Sequence, residues 1–352
     1  MIRSNNPTLE DVARAANVST ATISRSINEP HKVATDTRER IEQVIKELGF
    51  TPNFGGKVLA TKRSNTVGAI IPTMDNSMFA SGLQAFQEAL SASGIITLVA
   101  SSGYDSDHEL RQIRSLVAHG ADGLLLIGAS RPQETTDFLA LRNIPHVITW
   151  SYEVDESRVF AGFDNKKAAY QMTTKVLEFG HRRIDMIAGH SIGNDRAGKR
   201  IQGVKQALSD FGNEAIPLRV IETDYSLEQG GNAFENLMNS TDAPTAIVCG
   251  NDVLAVGAIL RAQQIGLRVP KDVSVTGFDD INLALAVTPP LTTVRVPQIN
   301  MGKLAAKLLM ELLSTGVHPP SIEIDTEVVL RGSLTVPRKI LANILPKANQ
   351  PL

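Results

Sequence analysis

Residues 8–28 read TLEDVARAANVSTATISRSIN, and the placing of capping, small and apolar residues in this stretch decides the N-terminal fold. Thr8 is followed three residues on by Asp11. A hydroxyl and an acid at that spacing satisfy each other's backbone N–H groups, so a helix starts at Leu9. Val12, Ala13 and Ala16 form its apolar face. Asn17 stands where the chain must turn, and Asn tolerates left-handed backbone better than any residue except Gly. Ser19 then caps a second helix over Thr20 to Ile27. Val18, Ile23 and Ile27 face the first helix, while Thr20, Ala21, Thr22 and Arg25 face outward. A third helix, capped at Thr35, runs to about Leu48 and is stopped by Gly49. Two short helices joined by a tight turn and braced by a third make a helix-turn-helix, whose second helix enters the DNA major groove. Arg25 suits guanine O6/N7 or a phosphate, and Thr20 and Ala21 offer a hydroxyl and a methyl to base edges. Helix spacing by itself equally suits a small helical domain for protein contacts.

The chain has 352 residues, room for two or three domains. With 42% hydrophobic and 20% charged residues it is neither a disordered nor a membrane composition. Its one cysteine, Cys249, excludes an intrachain disulfide and a CxxC-type zinc site, as expected in a reducing compartment. No apolar leader segment opens the sequence and no run reaches the ~18 apolar residues of a spanning helix, so a soluble, cytoplasmic protein without membrane contact is expected. The net charge of −2 hides an asymmetry: residues 1–64 hold 10 Lys and Arg against 7 Asp and Glu, the remaining 288 hold 25 against 30. Only the N-terminal segment leans basic, which permits phosphate contacts and equally describes a solvated helical surface.

The polar segment 61–66 marks a boundary. Beyond it, apolar β-like runs at 67–72, 95–101, 123–128, 146–150, 159–164, 183–189, 219–223, 246–250 and 273–279 alternate with helix-period segments. That pattern indicates buried parallel strands in an α/β, doubly wound domain. Nine strands exceed one open sheet of this type, and AGFDN (161–165) and TGFDD (276–280) each end a run, so two similar lobes with a cleft between them are expected.

The motifs resemble the LacI/GalR family of bacterial transcription regulators. LEDVARAANVSTATISRSIN and TRERIEQVIKELGFTPN look like its headpiece, and VGAIIP, GADGLLL, GFDN, FGHRRIDMIAG, GNDVLAVGA, VTGFDD, PPLTTV and VVLRGS follow in family order over almost the whole chain. The resemblance implies an N-terminal helix-turn-helix headpiece (1–50), a hinge and linker (51–66), a two-lobed, periplasmic-binding-protein-like effector-binding and dimerisation domain (67–338) and a tail (339–352). It implies a repressor that binds double-stranded operator DNA as a homodimer, without cofactor, metal or catalytic residue. The expected DNA contacts are Thr8, Ser19, Thr20, Ala21, Thr22, Arg25, Asn28, Asn53 and Leu59. Asn17 departs from the family's usual Gly. The hinge also departs, since Gly55 and Gly56 each cost ~1 kcal/mol of helix relative to Ala; it is expected to be disordered off DNA, with Leu59 matching the leucine that wedges into the minor groove. The tail, with Pro346, is too short for several leucine heptads, so a dimer rather than a tetramer is expected.

Ligands of open parallel sheets bind beyond the strands' carboxyl ends. Residues just after the β-runs include Asp75, Met78, Phe79, Trp150, Asn194, Arg196, Arg200, Tyr225, Asn251, Asp252 and Asp279. The resemblance places effector contacts on positions matching Met78, Phe79, Trp150, Arg200, Tyr225, Asn251 and Asp279; Asp75 and Arg196 join them as effector candidates. Trp150 also suits core packing, and Asp252 reads as a cap of the following helix. A guanidinium, a carboxylate, an amide and an aromatic face suit a hydroxylated, carboxylated small molecule, a sugar or sugar acid. GFDN..AA.QMTT (162–174) resembles the gluconate-regulator branch; a purine is the alternative ligand. Two enzyme motifs compete. GHSIG (189–193) matches a nucleophile elbow around Ser191, but a hydrolase needs an acid and then a histidine downstream, and only His318 follows. GNDRAGKR (193–200) is a Walker A pattern in which Arg200 replaces the magnesium-binding hydroxyl. A periplasmic sugar-binding protein shares the cleft but carries an export signal and lacks a headpiece. His181 in FGHRRI reads as serving the turn before a strand.

Overall fold

The computed structural model describes residues 7–51, 63–212 and 217–337. Packing separates two units, Met1–Ser64 and Asn65–Leu352. In the first, α1 (Leu9–Ala15), α2 (Thr20–Asn28) and α3 (Thr35–Leu48) close around Val12, Ala13, Ala16, Ile23, Ile41 and Phe50. Thr8 and Asp11 form the expected reciprocal cap: the Thr8 backbone N–H donates to the Asp11 carboxylate at 2.9 Å, and the Thr8 hydroxyl oxygen accepts from the Asp11 N–H at 3.3 Å. Asn17 turns the chain at φ 50°, and Gly49 ends α3 at φ 63°. Two expectations shift. Helix α2 runs one residue further, to Asn28, and α3 is capped at Ala34 with no side-chain hydrogen bond, so Thr35 is its first residue.

The second unit carries two parallel sheets. Here lie β1 (Thr66–Ile71), α4 (Ser77–Ser91), β2 (Ile96–Ser101), α5 (Ser106–Ala118), β3 (Gly123–Ile127), α6 (Gln133–Leu141), β4 (His146–Thr149) and β5 (Val159–Gly162). They are followed by α7 (Asn165–Glu178), β6 (Ile184–Gly189), α8 (Asp195–Asp210), β7 (Val220–Thr223), α9 (Leu227–Met238), β8 (Ala246–Cys249), α10 (Asp252–Gln264) and β9 (Ser274–Thr276). The last elements are α11 (Leu283–Ala286), β10 (Thr293–Arg295), α12 (Gln298–Thr315), β11 (Ile322–Glu323) and β12 (Glu327–Val329). The first lobe is a six-stranded sheet ordered β11-β5-β4-β3-β1-β2, the second a four-stranded sheet ordered β7-β6-β8-β9, and β10 pairs antiparallel with β12. Strand β1 buries all six residues and β3 all five, as helices on both faces of a parallel sheet require.

The chain passes between the lobes three times. It leaves the first after β5, returns with α12, which packs on α4, and crosses again after β11 so that Ser333 and Thr335 bond along β9. Helices α4 and α12 touch closely enough that a Cβ on Gly302 would lie 2.1 Å from the Gly82 carbonyl oxygen. Asp252 fastens the crossings: its carboxylate accepts from the Ile281 N–H at 2.8 Å and the Thr293 hydroxyl at 2.5 Å. It does not cap α10. Asn251 does, accepting from the Leu254 N–H at 2.9 Å. His181 is buried, bonded to the Thr245 hydroxyl at 2.9 Å and the Thr335 carbonyl at 2.7 Å, so it joins strand-flanking segments as well as preceding β6.

Candidate functional site: the outer face of α2 and the interlobe cleft

On the headpiece, Thr20, Ala21 and Arg25 are exposed and Thr22 is half-buried, its hydroxyl 2.9 Å from that of Ser19. The Ser19 oxygen accepts from the Thr22 N–H at 3.1 Å, and the Thr8 hydroxyl donates to Asp11 at 2.7 Å. Both caps are therefore committed within the headpiece. Asn28 is the last residue of α2. Asn53 and Leu59, with the hinge glycines, lie outside the described residues, as does the expected tail.

In the second unit, the ends of β1 and α4 face the ends of β6, β8 and β9 across the cleft. Met78, Phe79, Arg196, Arg200, Tyr225, Asn251 and Asp279 converge on one inner pocket, joined by Asn76, Tyr104 and Asn194. Arg200 is 3% exposed and held on three sides. Its Nε donates to Asn165 Oδ1 at 2.9 Å, its Nη1 to the Gly250 carbonyl at 2.6 Å, and its Cζ lies 3.7 Å from the Phe278 ring centre. The remaining arm, Nη2, is 3.5 Å from Asp279 Oδ1, too far for a hydrogen bond. That oxygen is buried and has no hydrogen-bond partner. Burial raises the Asp279 pKa to about 7 against the opposing pull of Arg200 and Arg196. Burial likewise pushes the Tyr104 phenol above its ordinary value.

Trp150 and Asp75 are not brought into this pocket. Trp150 is 1% exposed and packs edge-on to Phe79 at 5.4 Å, so Phe79 stands between it and the cleft. Its indole Nε1 is buried without a partner, and Asn165 donates to its carbonyl at 2.9 Å. Asp75 is exposed in the wider mouth with Met74, His190 and Asp224. Three non-glycine residues around the cleft have positive φ: Trp150 at 56°, Tyr104 at 61° and Asp279 at 110°, a clustering of backbone strain common at binding sites.

Sequence reasoning missed Asn76, Tyr104, Asn165 and Asp195. The strand-end rule would have found Tyr104, which follows β2, and Asn76, which follows β1 as the cap of α4. Asp195 shares the strand-end signal of its neighbours Asn194 and Arg196 after β6, but the sequence does not show that its partners lie in the other lobe. Its Oδ2 accepts from the Ala129 N–H at 2.9 Å and the Ser151 hydroxyl at 3.1 Å, while Oδ1 lies 3.1 Å from Arg196 Nη1. Gly128 (φ 83°) makes room for this clamp, since a Cβ there would be 2.5 Å from Asp195 Oδ1 and 2.0 Å from Arg196 Nη1.

The nucleophile-elbow reading fails on geometry. The Ser191 hydroxyl donates to Glu222 at 2.8 Å, and the adjacent His190 faces Asp224 at 3.4 Å, so the serine lacks a histidine base. No helix among the described residues is long and apolar enough to cross a membrane.

A helix-turn-helix unit on a chain with a two-lobed, ligand-cleft domain defines a ligand-responsive DNA-binding regulator. Residues 8–53 match the model of bacterial regulatory proteins of the lacI family, and residues 173–334 match a periplasmic binding protein-like domain. The HTH-type transcriptional repressor CytR of Escherichia coli (strain K12) is 32% identical over 93% of this chain and 96% of its own length. The transcription regulator GntR from Chromobacterium violaceum, a solved structure, is 31% identical over 76% of this chain and 98% of its own, with a TM-score of 0.71. The lac repressor dimer bound to operator and the anti-inducer ONPF shares the fold at TM-score 0.82 over 94% of this chain and all of its own, with 24% identity. The chain belongs to the LacI family of bacterial transcription regulators, whose members bind DNA and are not enzymes.

Proposed function

We propose that this regulator is a cytoplasmic repressor that acts as a homodimer, and that a sugar acid of the gluconate type, seated between the lobes, sets its operator affinity. The observation that carries the ligand class is Asp279 Oδ1: a buried acceptor without a donor, beside an Arg200 arm without a full hydrogen bond. A polyol hydroxyl supplies the donor, and a carboxylate the acceptor for the guanidinium. Asn251 uses its oxygen to cap α10, leaving its amide N–H groups for a second hydroxyl. Phe79 and Tyr225 give aromatic walls, which also suit a purine, the alternative ligand.

Thr20, Ala21, Thr22 and Arg25 read bases from the outer face of α2 in this account, and residues 51–66 act as the hinge that folds on operator DNA, with Asn53 and Leu59 in it. The homodimer is supported by β2, an edge strand that leaves Ile96 58%, Leu98 38% and Val99 38% exposed. An apolar edge of this kind is normally covered.

Thermal denaturation with D-gluconate, D-ribose and hypoxanthine tests the ligand class. A ligand at about a hundred times its Kd adds ~2.7 kcal/mol, a rise in Tm of about 5 °C for a domain of this size. Gluconate is expected to give it; a rise with hypoxanthine alone replaces the sugar acid by the purine.

A further inference from the structure

Tyr104 stands in the turn after β2, half-buried, its ring 5.8 Å from that of Tyr225. Among the described residues it alone borders all three voids of the cleft. These are the mouth, of about 670 Å³, the inner pocket, of about 10 Å³, and a rear cavity of about 280 Å³. At about 10 Å³ the inner pocket has no more room than a single water needs, so a ligand reaches Arg200 and Asp279 only if a wall moves. Most walls are committed. Met78 and Phe79 belong to the core, Asn76, Asn194 and Asn251 cap helices, and Arg196, which with Tyr104 borders both the inner pocket and the rear cavity, is held against Asp195. Tyr104 and Tyr225 are half-buried and face each other. Of these two, Tyr104 has the backbone conformation that L residues rarely adopt.

The rear cavity is built for polar contacts. Ser102, Ser106, Ser130 and Arg131 line it. The Arg131 side chain is 3% exposed. It donates to the Gly128 carbonyl at 2.6 Å, to the Ile127 carbonyl at 3.2 Å and to Glu109 at 3.0 Å, and its buried Nε has no partner. A buried donor beside serine hydroxyls matches an acceptor-bearing, hydroxylated group.

We propose that Tyr104 is a specificity-determining residue: its ring walls the inner pocket off from the rear cavity, so the cleft takes a single sugar-acid unit, and removing the ring admits a second, hydroxylated unit toward Arg131. The proposal rests on the sugar-acid reading of the cleft, and wild-type protein alone tests that reading. The full chain and its Tyr104→Ala and Tyr104→Phe variants are titrated by calorimetry with D-gluconate and with its 4-O-glucosyl derivative, cellobionate. Wild type and Tyr104→Phe are expected to bind gluconate and reject cellobionate. Tyr104→Ala is expected to bind cellobionate about tenfold or more tighter than wild type does, the scale on which pocket walls discriminate. A crystal structure of ligand-free Tyr104→Ala forms the second arm, in which the inner pocket and rear cavity are expected to be continuous. Voids that stay separate, or voids that join without any gain in cellobionate affinity, overturn the proposal. Absence of gluconate binding by wild type overturns the sugar-acid reading.

Discussion

Asp279 concentrates the chemistry of the cleft in one carboxyl group. It is 2% exposed, its backbone N–H donates to the Val294 carbonyl at 2.8 Å, its Oδ1 is buried without a hydrogen-bond partner, and it lines the inner pocket. Because burial lifts its pKa from 3.8 to about 7, the folded chain holds a proton there that the unfolded chain releases near pH 4. Folded protein thus binds more protons across that window, and stability falls as pH rises from about 4 to about 7, by up to about 1.4 kcal/mol per unit from this group. Asp279→Asn, permanently neutral, should flatten the decline seen in urea titrations between pH 5 and 7; an unchanged slope would mean the carboxyl is ionised throughout. Arg200 and Asp279 were legible in the sequence because both follow apolar runs, where open α/β sheets bind ligands. Trp150 follows such a run too, yet lies behind Phe79. Strand position tells where a backbone ends and not which side chain screens another.

Element by element, legibility follows from burial. The nine strands read from apolar runs are β1 to β9: most are buried along their length, while the edge strands β2 and β7 are partly exposed and were read from their apolar runs alone. Strands β10, β11 and β12 have two or three residues, too few for a pattern, whereas β9, of three, was read because it lies within the longer apolar run 273–279. In the headpiece, capping chemistry was written in Thr8, Asp11 and Ser19, whereas α3 begins without a side-chain cap and its Thr35 misled the reading. With the Ser19 cap committed to the Thr22 N–H, the start of α2 is fixed within the headpiece, and Arg25 lies on its exposed face. A bidentate guanidinium–guanine pair contributes about 1–3 kcal/mol of discrimination. Arg25→Ala should therefore weaken operator binding by roughly ten- to a hundredfold while leaving random duplex nearly unaffected, measured by anisotropy at one salt concentration. Equal losses on both duplexes would make Arg25 a phosphate contact.

At the scale of the whole molecule, a response to effector through the lobes requires two arrangements of them that differ in free energy by little, and Asp195 is the residue whose carboxylate ties the lobes together at the cleft. From the start of α8 in the second lobe its carboxylate accepts two hydrogen bonds from the first, from Ala129 and Ser151, with its side chain 8% exposed. Hydrogen bonds to a charged group contribute about 1.5–3 kcal/mol. Asp195→Ala should accordingly disfavour the closed cleft and weaken effector binding by about tenfold or more, although Asp195 lies outside the inner pocket. A ligand held between the lobes favours the same closed arrangement, and coupling between effector and operator is reciprocal. The substitution must then move operator affinity, measured without effector, opposite to the way effector moves it in the wild type, whether the effector releases the operator or tightens the grip. This sign needs no knowledge of which kind of effector it is. A shift in the same sense as effector, or weaker effector binding with operator affinity unmoved, would show that the clamp does not belong to the switch.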